Sequence, residues 1–373
     1  MNDTMQEMMR EATRLIQTGQ LLEATAAIQQ ALGASATVSP SDLQAQINTV
    51  GMLTRTWPAR AASGANAPHM TVLDDCVFET PVVDTPVAFE AAIPSDAFIN
   101  GTHTHGSLTR LYKLYVPPHH AGKNLPLVVM LHGCTQDPDD FAAGTRMNAF
   151  AREQGFFVLY PAQAKDANPS HCWNWFKHTH QRRGSGEPAL LADMSRSVTC
   201  QYGIDSQRVY VAGLSAGGAM AAIVAGLYPE VFAAAGVHSG LASGAASNLP
   251  EALGAMKNGA RTNGAAAVPA SVRTIVFHGD QDSTVHARNG EQAFTAALGK
   301  DAGTARVEQC TAPSGRRYTR TVQSSDDGAV LAEHWVVHGA GHAWSGGSAD
   351  GSYTDPAGPD ATAEMLRFFF SGD

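Results

Sequence analysis

The spacing of apolar residues changes along the chain, and each change predicts a different kind of structure. From Met5 to Leu32 the apolar positions recur at helical spacing, interrupted at Thr18-Gly19-Gln20. Leu15, Leu22, Ala26 and Ile28 can then face one another across a two-helix hairpin. A short helix is expected next, with Ser41 as its N-cap and Leu43, Ile47 and Val50 on its apolar side. Arg60 to Pro68 is rich in Ala, Gly, Ser and Asn and reads as a linker. From Ala97 the pattern turns to strands. Ala97 to Gly101 and Arg110 to Val116 alternate as an antiparallel pair would, and Pro117-Pro118 ends the pair.

Beyond that point short continuous apolar runs alternate with helical stretches. Leu125 to Leu131, Phe156 to Pro161, the run at Val209, Phe232 to Val237, Thr274 to Phe277 and Leu331 to Val337 read as buried strands. Helices are expected over Asp139 to Gln154, Ala189 to Tyr202 and Ala361 to Phe370. Such alternation predicts an α/β protein with a mainly parallel, doubly wound sheet. The expected organisation is a helical segment over 1–62, a linker and irregular lead-in over 63–96, and a catalytic domain over 97–373.

Composition narrows the function classes. A chain of 373 residues with 44% hydrophobic and 16% charged residues can bury a large core. A formal net charge of −9 without a basic tract speaks against a nucleic-acid partner. No apolar run approaches the ~18 residues that cross a membrane. Met1 to Arg10 is polar and acidic with no apolar stretch behind it, so no secretory signal is visible. Five cysteines without C-x-x-C spacing predict neither a metal site nor a disulfide framework. Together these favour the cytoplasm, with an extracellular location as the alternative.

The chemistry centres on Gly213-Leu214-Ser215-Ala216-Gly217. It follows the apolar run Arg208 to Ala212 and precedes a small-residue helical stretch from Gly218 to Ala225. A serine between two glycines on a strand-to-helix turn is the nucleophile elbow of an α/β-hydrolase. A serine needs a base, and in the order nucleophile, acid, base the base comes last. Of the 15 histidines, His342 alone combines that order with a glycine-rich loop, Gly339 to Gly347, beyond the last strand. His334 and His338 lie nearer the strand and are expected to be structural or exposed. Asp280 and Asp282 both follow the strand that ends at Phe277. Asp282 is favoured because the turn must pass the strand end before a carboxylate can reach an imidazole, while Asp280 suits turn hydrogen bonds. The amide of Ala216 would supply one oxyanion donor and that of Cys134, in the loop after an earlier strand, the other. Cys134 lacks the elbow setting that would make it a nucleophile. Serine chemistry of this kind implies no cofactor.

Several motifs converge on one family. LHGCTQ (131–136), CWNWF (172–176), GLSAGGAM (213–220), HGDQDSTV (278–285) and GAGHAWSGG (339–347), spread over Phe98 to Phe370, resemble the polyhydroxybutyrate depolymerase-like esterases. The resemblance implies an α/β-hydrolase with Ser215, Asp282 and His342 as nucleophile, acid and base. It also implies hydrolysis of 3-hydroxyalkanoate esters or polyesters, with feruloyl- or acetyl-type carboxylester hydrolysis as the alternative. A silent granule-binding protein is the rival from outside enzymology. Trp173, Trp175 and Trp344 are expected to offer flat apolar contacts to substrate. Cys134 and Cys172 would stay thiols in a reducing cytosol; bridged, they would pin the oxyanion loop to the aromatic stretch. The helices within 1–62 are expected to pack on the body, on a second copy, or on a polyester granule.

Overall fold

The computed structural model describes residues 96–261, 272–298 and 303–371. The helices expected within 1–62 and the lead-in over 63–96, apart from its last residue, lie outside the described residues.

Continuous apolar runs form the centre of the sheet. Strands β3 (Leu127–Leu131), β4 (Phe157–Pro161), β5 (Val209–Leu214) and β6 (Ala234–His238) are buried at every position. They join β7 (Arg273–Gly279) and β10 (Val330–Val337) in a parallel stack ordered β4-β3-β5-β6-β7-β10. Both flanks are antiparallel. Strands β1 (Ala97–His105) and β2 (Leu108–Val116) flank β4. On the other side β9 (Arg317–Ser324) and then β8 (Ala305–Thr311) follow β10. Strand β3 starts two residues later than its apolar run because Pro126 has no N–H to give to a ladder.

Helices cover both faces, and alternate residues of each central strand serve opposite layers. Val129, Leu131 and Val211 pack with α3 (Gly186–Tyr202) and α4 (Ala216–Leu227). Val128, Met130, Tyr210 and Ala212 pack with α1 (Pro138–Thr145), α2 (Met147–Gln154) and α7 (Ala361–Phe370). Two further helices, α5 (Leu249–Asn258) and α6 (Arg288–Ala297), complete the described helices of more than one turn.

The single helix expected over Asp139 to Gln154 is two helices. Arg146 adopts φ 57 between α1 and α2. The carbonyl of Thr145 accepts from the Thr362 hydroxyl at 2.7 Å instead of extending the helix, and the Arg146 guanidinium binds Asp360 at 2.7 Å. Tertiary partners thus override local propensity here.

The parallel order brings the turns after β3, β5, β6, β7 and β10 to one edge of the sheet. In open α/β sheets this carboxyl edge is where ligands bind.

Candidate active site

Ser215 sits between β5 and α4 with φ 57 and ψ −118, a conformation that side chains rarely adopt. Its N–H donates to the carbonyl of His238 at 2.9 Å, which ties the turn to the end of β6. The flanking glycines are sterically required. A Cβ on Gly217 would lie 2.0 Å from the Leu131 carbonyl oxygen, and one on Gly213 would lie 2.4 Å from the Gly217 backbone. The elbow is thereby pressed against the end of β3. Ala216 is the first residue of α4, so its N–H has no acceptor within the helix.

The turn after β7 brings Asp282 to His342. His342 Nδ1 lies 2.7 Å from Asp282 Oδ2. The carboxylate can only accept, so Nδ1 carries the proton and Nε2 keeps its lone pair. The amides of Thr284 and Val285 donate to Asp282 Oδ1 at 2.9 and 2.8 Å. His278 Nε2 lies 2.8 Å from the Val285 carbonyl and 3.4 Å from Asp282 Oδ2, so it is the protonated nitrogen of that ring. Burial would raise the Asp282 pKa, but hydrogen bonds from His278 and His342 outweigh it and hold the carboxyl far below its usual range. Among the described residues, no hydrogen bond joins the Ser215 hydroxyl to His342. Such contacts often tighten only with substrate in place.

Asp280 goes elsewhere. Its carboxylate accepts from the Gly339 amide at 2.7 Å and meets His338 Nδ1 at 2.9 Å. The Asp280 amide donates to the Val337 carbonyl and the Gln281 amide to that of Ala340. Asp280 therefore stitches the turn after β7 to the loop that carries His342. His334 is buried against Phe294 on β10.

Cys134 lies in the turn after β3. The neighbouring amides are taken: Gly133 by Gln136 Oε1 at 2.9 Å, Thr135 by Ser170 at 2.7 Å, and Gln136 by Gly133 at 3.3 Å. Among the described residues, no acceptor takes the Cys134 amide, which leaves it available to an oxyanion. The expectation that Cys134 and Cys172 remain thiols is corrected, because the two are joined in a disulfide. The bridge fastens this turn to CWNWF.

Behind the turn lies a buried polar network that the sequence did not reveal. Glu187 accepts from Gln163 Nε2 at 2.6 Å, Asn174 N at 2.8 Å and Asn174 Nδ2 at 2.7 Å. Gln163 also donates its backbone N–H to His132 Nε2 at 3.2 Å and takes a bond from Arg110 Nε at 3.0 Å. Glu187 thus holds the aromatic stretch directly and, through Gln163, the turn after β3. His238 is a second such residue: its ring stacks between Phe277 and Trp344, and its Nε2 accepts from the Ser345 amide at 2.9 Å. His238 is an isolated polar letter in an apolar run, whereas Glu187, within Gly184-Ser185-Gly186-Glu187-Pro188, carries no such signal.

The aromatic expectation is corrected. Trp173 and Trp344 are buried to 0% and 1% exposure and Trp175 to 5%, so their rings pack the core and present no open face. Trp173 lies against His132, and Trp344 lies between His238 and Phe141.

Buried histidines also make the fold acid-sensitive. Desolvation pushes His132 and His334 down to about 4 and His238 down to about 3. Unfolded, each would take its proton near 6.5. The unfolded chain therefore binds more protons below that value. Their contribution to stability is complete above about pH 6.5 and is lost as pH falls to the folded values, by roughly 3 kcal/mol each for His132 and His334 and roughly 5 kcal/mol for His238. The melting temperature is expected to drop steeply between pH 6.5 and 4; a flat profile across that range would contradict the burial of neutral rings.

Residues 110–311 match the esterase PHB depolymerase family, a stretch that contains Ser215 and Asp282 and ends before His342. The chain is 32% identical over 233 residues to poly(3-hydroxyalkanoate) depolymerase C of Paucimonas lemoignei, covering 59% of this chain and 55% of that protein. It is 37% identical over 146 residues to feruloyl esterase B of Neurospora crassa, covering 38% of this chain and 48% of that protein. It thus spans about half the length of these curated relatives. An acetyl xylan esterase from Aspergillus awamori superposes with a TM-score of 0.57 at 20% identity, over 73% of this chain and 98% of that one. With the family matched over more than half of the chain and the sheet order set out above, the chain belongs to the esterase PHB depolymerase family and has the α/β-hydrolase fold.

Proposed function

We propose that the chain is a serine ester hydrolase acting on short 3-hydroxyalkanoate esters or polyesters through an acyl-enzyme. The observation that carries this reading is the Asp282–His342 hydrogen bond at the same sheet edge as the strained Ser215. In this reading Ser215 Oγ attacks the ester carbonyl while His342 Nε2 takes its proton. The amides of Cys134 and Ala216 hold the oxyanion. His342 returns the proton to the departing alkoxide, and an acyl-enzyme remains. Water then attacks the acyl carbon with His342 as base, and the acid leaves.

The names of the relatives support ester substrates, and depolymerase C favours hydroxyalkanoates. Feruloyl esterase B keeps an aromatic acyl ester as the second reading. Comparing kcat/KM for a 3-hydroxybutyrate dimer ester with that for methyl ferulate decides between them. Failure to hydrolyse either, or to be labelled at Ser215 by a fluorophosphonate, would end the proposal.

Among the described residues no helix is long and apolar enough to cross a membrane. The Cys134–Cys172 disulfide favours an oxidising compartment over the cytoplasm first expected. Contact with a polymer surface through residues 1–62 rests on their apolar periodicity alone. Removing them should then lower polymer-particle clearing more than p-nitrophenyl butyrate turnover; parallel losses would assign them to the catalytic fold instead.

A further inference from the structure

Tyr353 is the one large aromatic ring among the described residues that stands out as exposed, at 47%. It lies in a loop that neither the elbow nor the acid turn uses. Its backbone has φ 52, an unfavourable conformation for a bulky side chain. Strain of this kind persists only where the surroundings enforce it, and it clusters at sites that bind or react.

The surroundings here are specific. The Tyr353 carbonyl accepts from the Trp344 amide at 2.7 Å, and Trp344 is two residues beyond His342. The next residue, Thr354, pairs with Trp344 in the short strand pair formed by β11 (Trp344–Ser345) and β12 (Thr354–Asp355). On the other side Gln136 Nε2 donates to the Ser352 carbonyl at 3.1 Å, and Asp140 accepts from the Ser352 amide at 2.7 Å. The phenol oxygen lies 3.1 Å from Thr135 Oγ1. Thr135 gives its own proton to the Cys134 carbonyl at 2.6 Å, so Tyr353 is the donor in this pair. Thr135 is also in the left-handed region, with φ 68.

Tyr353 therefore bridges the loop of the base and the turn of the oxyanion donor. Its ring is held one residue from Cys134 and left open to solvent. A rigid aromatic face with a bound hydroxyl is a low-entropy surface for apolar chain. The buried tryptophans cannot provide that surface.

Resting on the ester-hydrolase reading, we infer that Tyr353 is a specificity-determining residue whose exposed ring contacts the part of a hydroxyalkanoate substrate that continues beyond the scissile ester. A small ester ends before the ring and gains little from it. An oligomer reaches it.

The test is the ratio of kcat/KM for a 3-hydroxybutyrate trimer to that for p-nitrophenyl acetate, in wild type, Tyr353→Phe and Tyr353→Ala. Tyr353→Ala is expected to lower the ratio about tenfold through KM for the trimer. Tyr353→Phe keeps the ring and is expected to hold the ratio within about twofold. An unchanged ratio in Tyr353→Ala overturns the inference. So does an equal fall in Tyr353→Phe, because the Thr135 tether and not the ring would then matter. A wild-type protein that cleaves neither ester ends the parent reading itself, whereas an active wild type with an unchanged ratio sinks only the role of Tyr353.

Discussion

Replacing Ser215 with alanine is expected to lower ester hydrolysis by on the order of 10⁴-fold or more while leaving the fold intact. The rate falls because no other hydroxyl occupies the elbow. The fold survives because the turn is enforced by its backbone. The Ser215 amide binds the His238 carbonyl, and Gly213 and Gly217 allow the elbow to press against the end of β3. The serine hydroxyl makes no hydrogen bond among the described residues, so its removal leaves no partner stranded. Turnover of p-nitrophenyl butyrate and the melting temperature, measured on the same preparation, check both halves. Retention of a tenth of wild-type turnover would mean that Ser215 is not the nucleophile.

Asp282→Asn is expected to cost roughly 10⁴-fold in kcat, as in a comparable triad, and Asp280→Asn far less. The wiring of the two carboxylates explains the contrast. Asp282 accepts on both oxygens: two backbone amides on Oδ1, His342 and His278 on Oδ2. An asparagine has one acceptor oxygen and one donor nitrogen. If its oxygen faces His342, its NH₂ faces the amides of Thr284 and Val285. If it turns over, it demands the wrong imidazole tautomer. Neither orientation stabilises an imidazolium. Asp280 holds His338 and the Gly339 amide at a half-exposed position, where solvent can compensate. Equal losses in the two variants, or a larger loss at Asp280, would reverse the assignment of the acid.

The parts of this molecule legible in the sequence are those whose signal is local. The runs that form β3, β4 and β5 are apolar at every position because helices cover both faces, and that pattern belongs to buried parallel strands. The glycines beside Ser215 announce a close approach that the backbone contacts display. Strands β8 and β9 went unread because ARVEQCT and RYTRTVQS carry charges at a flank and lack an apolar run. The break falls on Arg146, neither Gly nor Pro, with only Gly144 nearby to hint at it; its cause lies more than two hundred residues away at Thr362 and Asp360. Tyr353, tied to Thr135, and His238, tied to Ser345, also depend on partners far along the chain, whereas Gln163 and Asn174, the hydrogen-bond partners of Glu187, lie within 24 residues of it. The tryptophans misled for the opposite reason: a dense aromatic stretch looks the same in sequence whether it lines a pocket or fills a core.

The position of β8 at the end of the sheet order bears on how the protein behaves in concentrated solution. A ten-stranded sheet ends on backbone donors and acceptors that can recruit another chain. On β8 those groups are flanked by Arg306 and Glu308, which pair with each other, and Glu308 pairs again with Arg320 on β9. A second strand approaching this side would have to desolvate and match that charge pattern before gaining any ladder bonds. The same polar letters that hid β8 from a reading of apolar runs therefore guard the sheet against edge-to-edge polymerisation. Exchanging Arg306 and Glu308 for β-branched apolar residues would remove that guard and leave the exposed Val307 within a sticky ribbon.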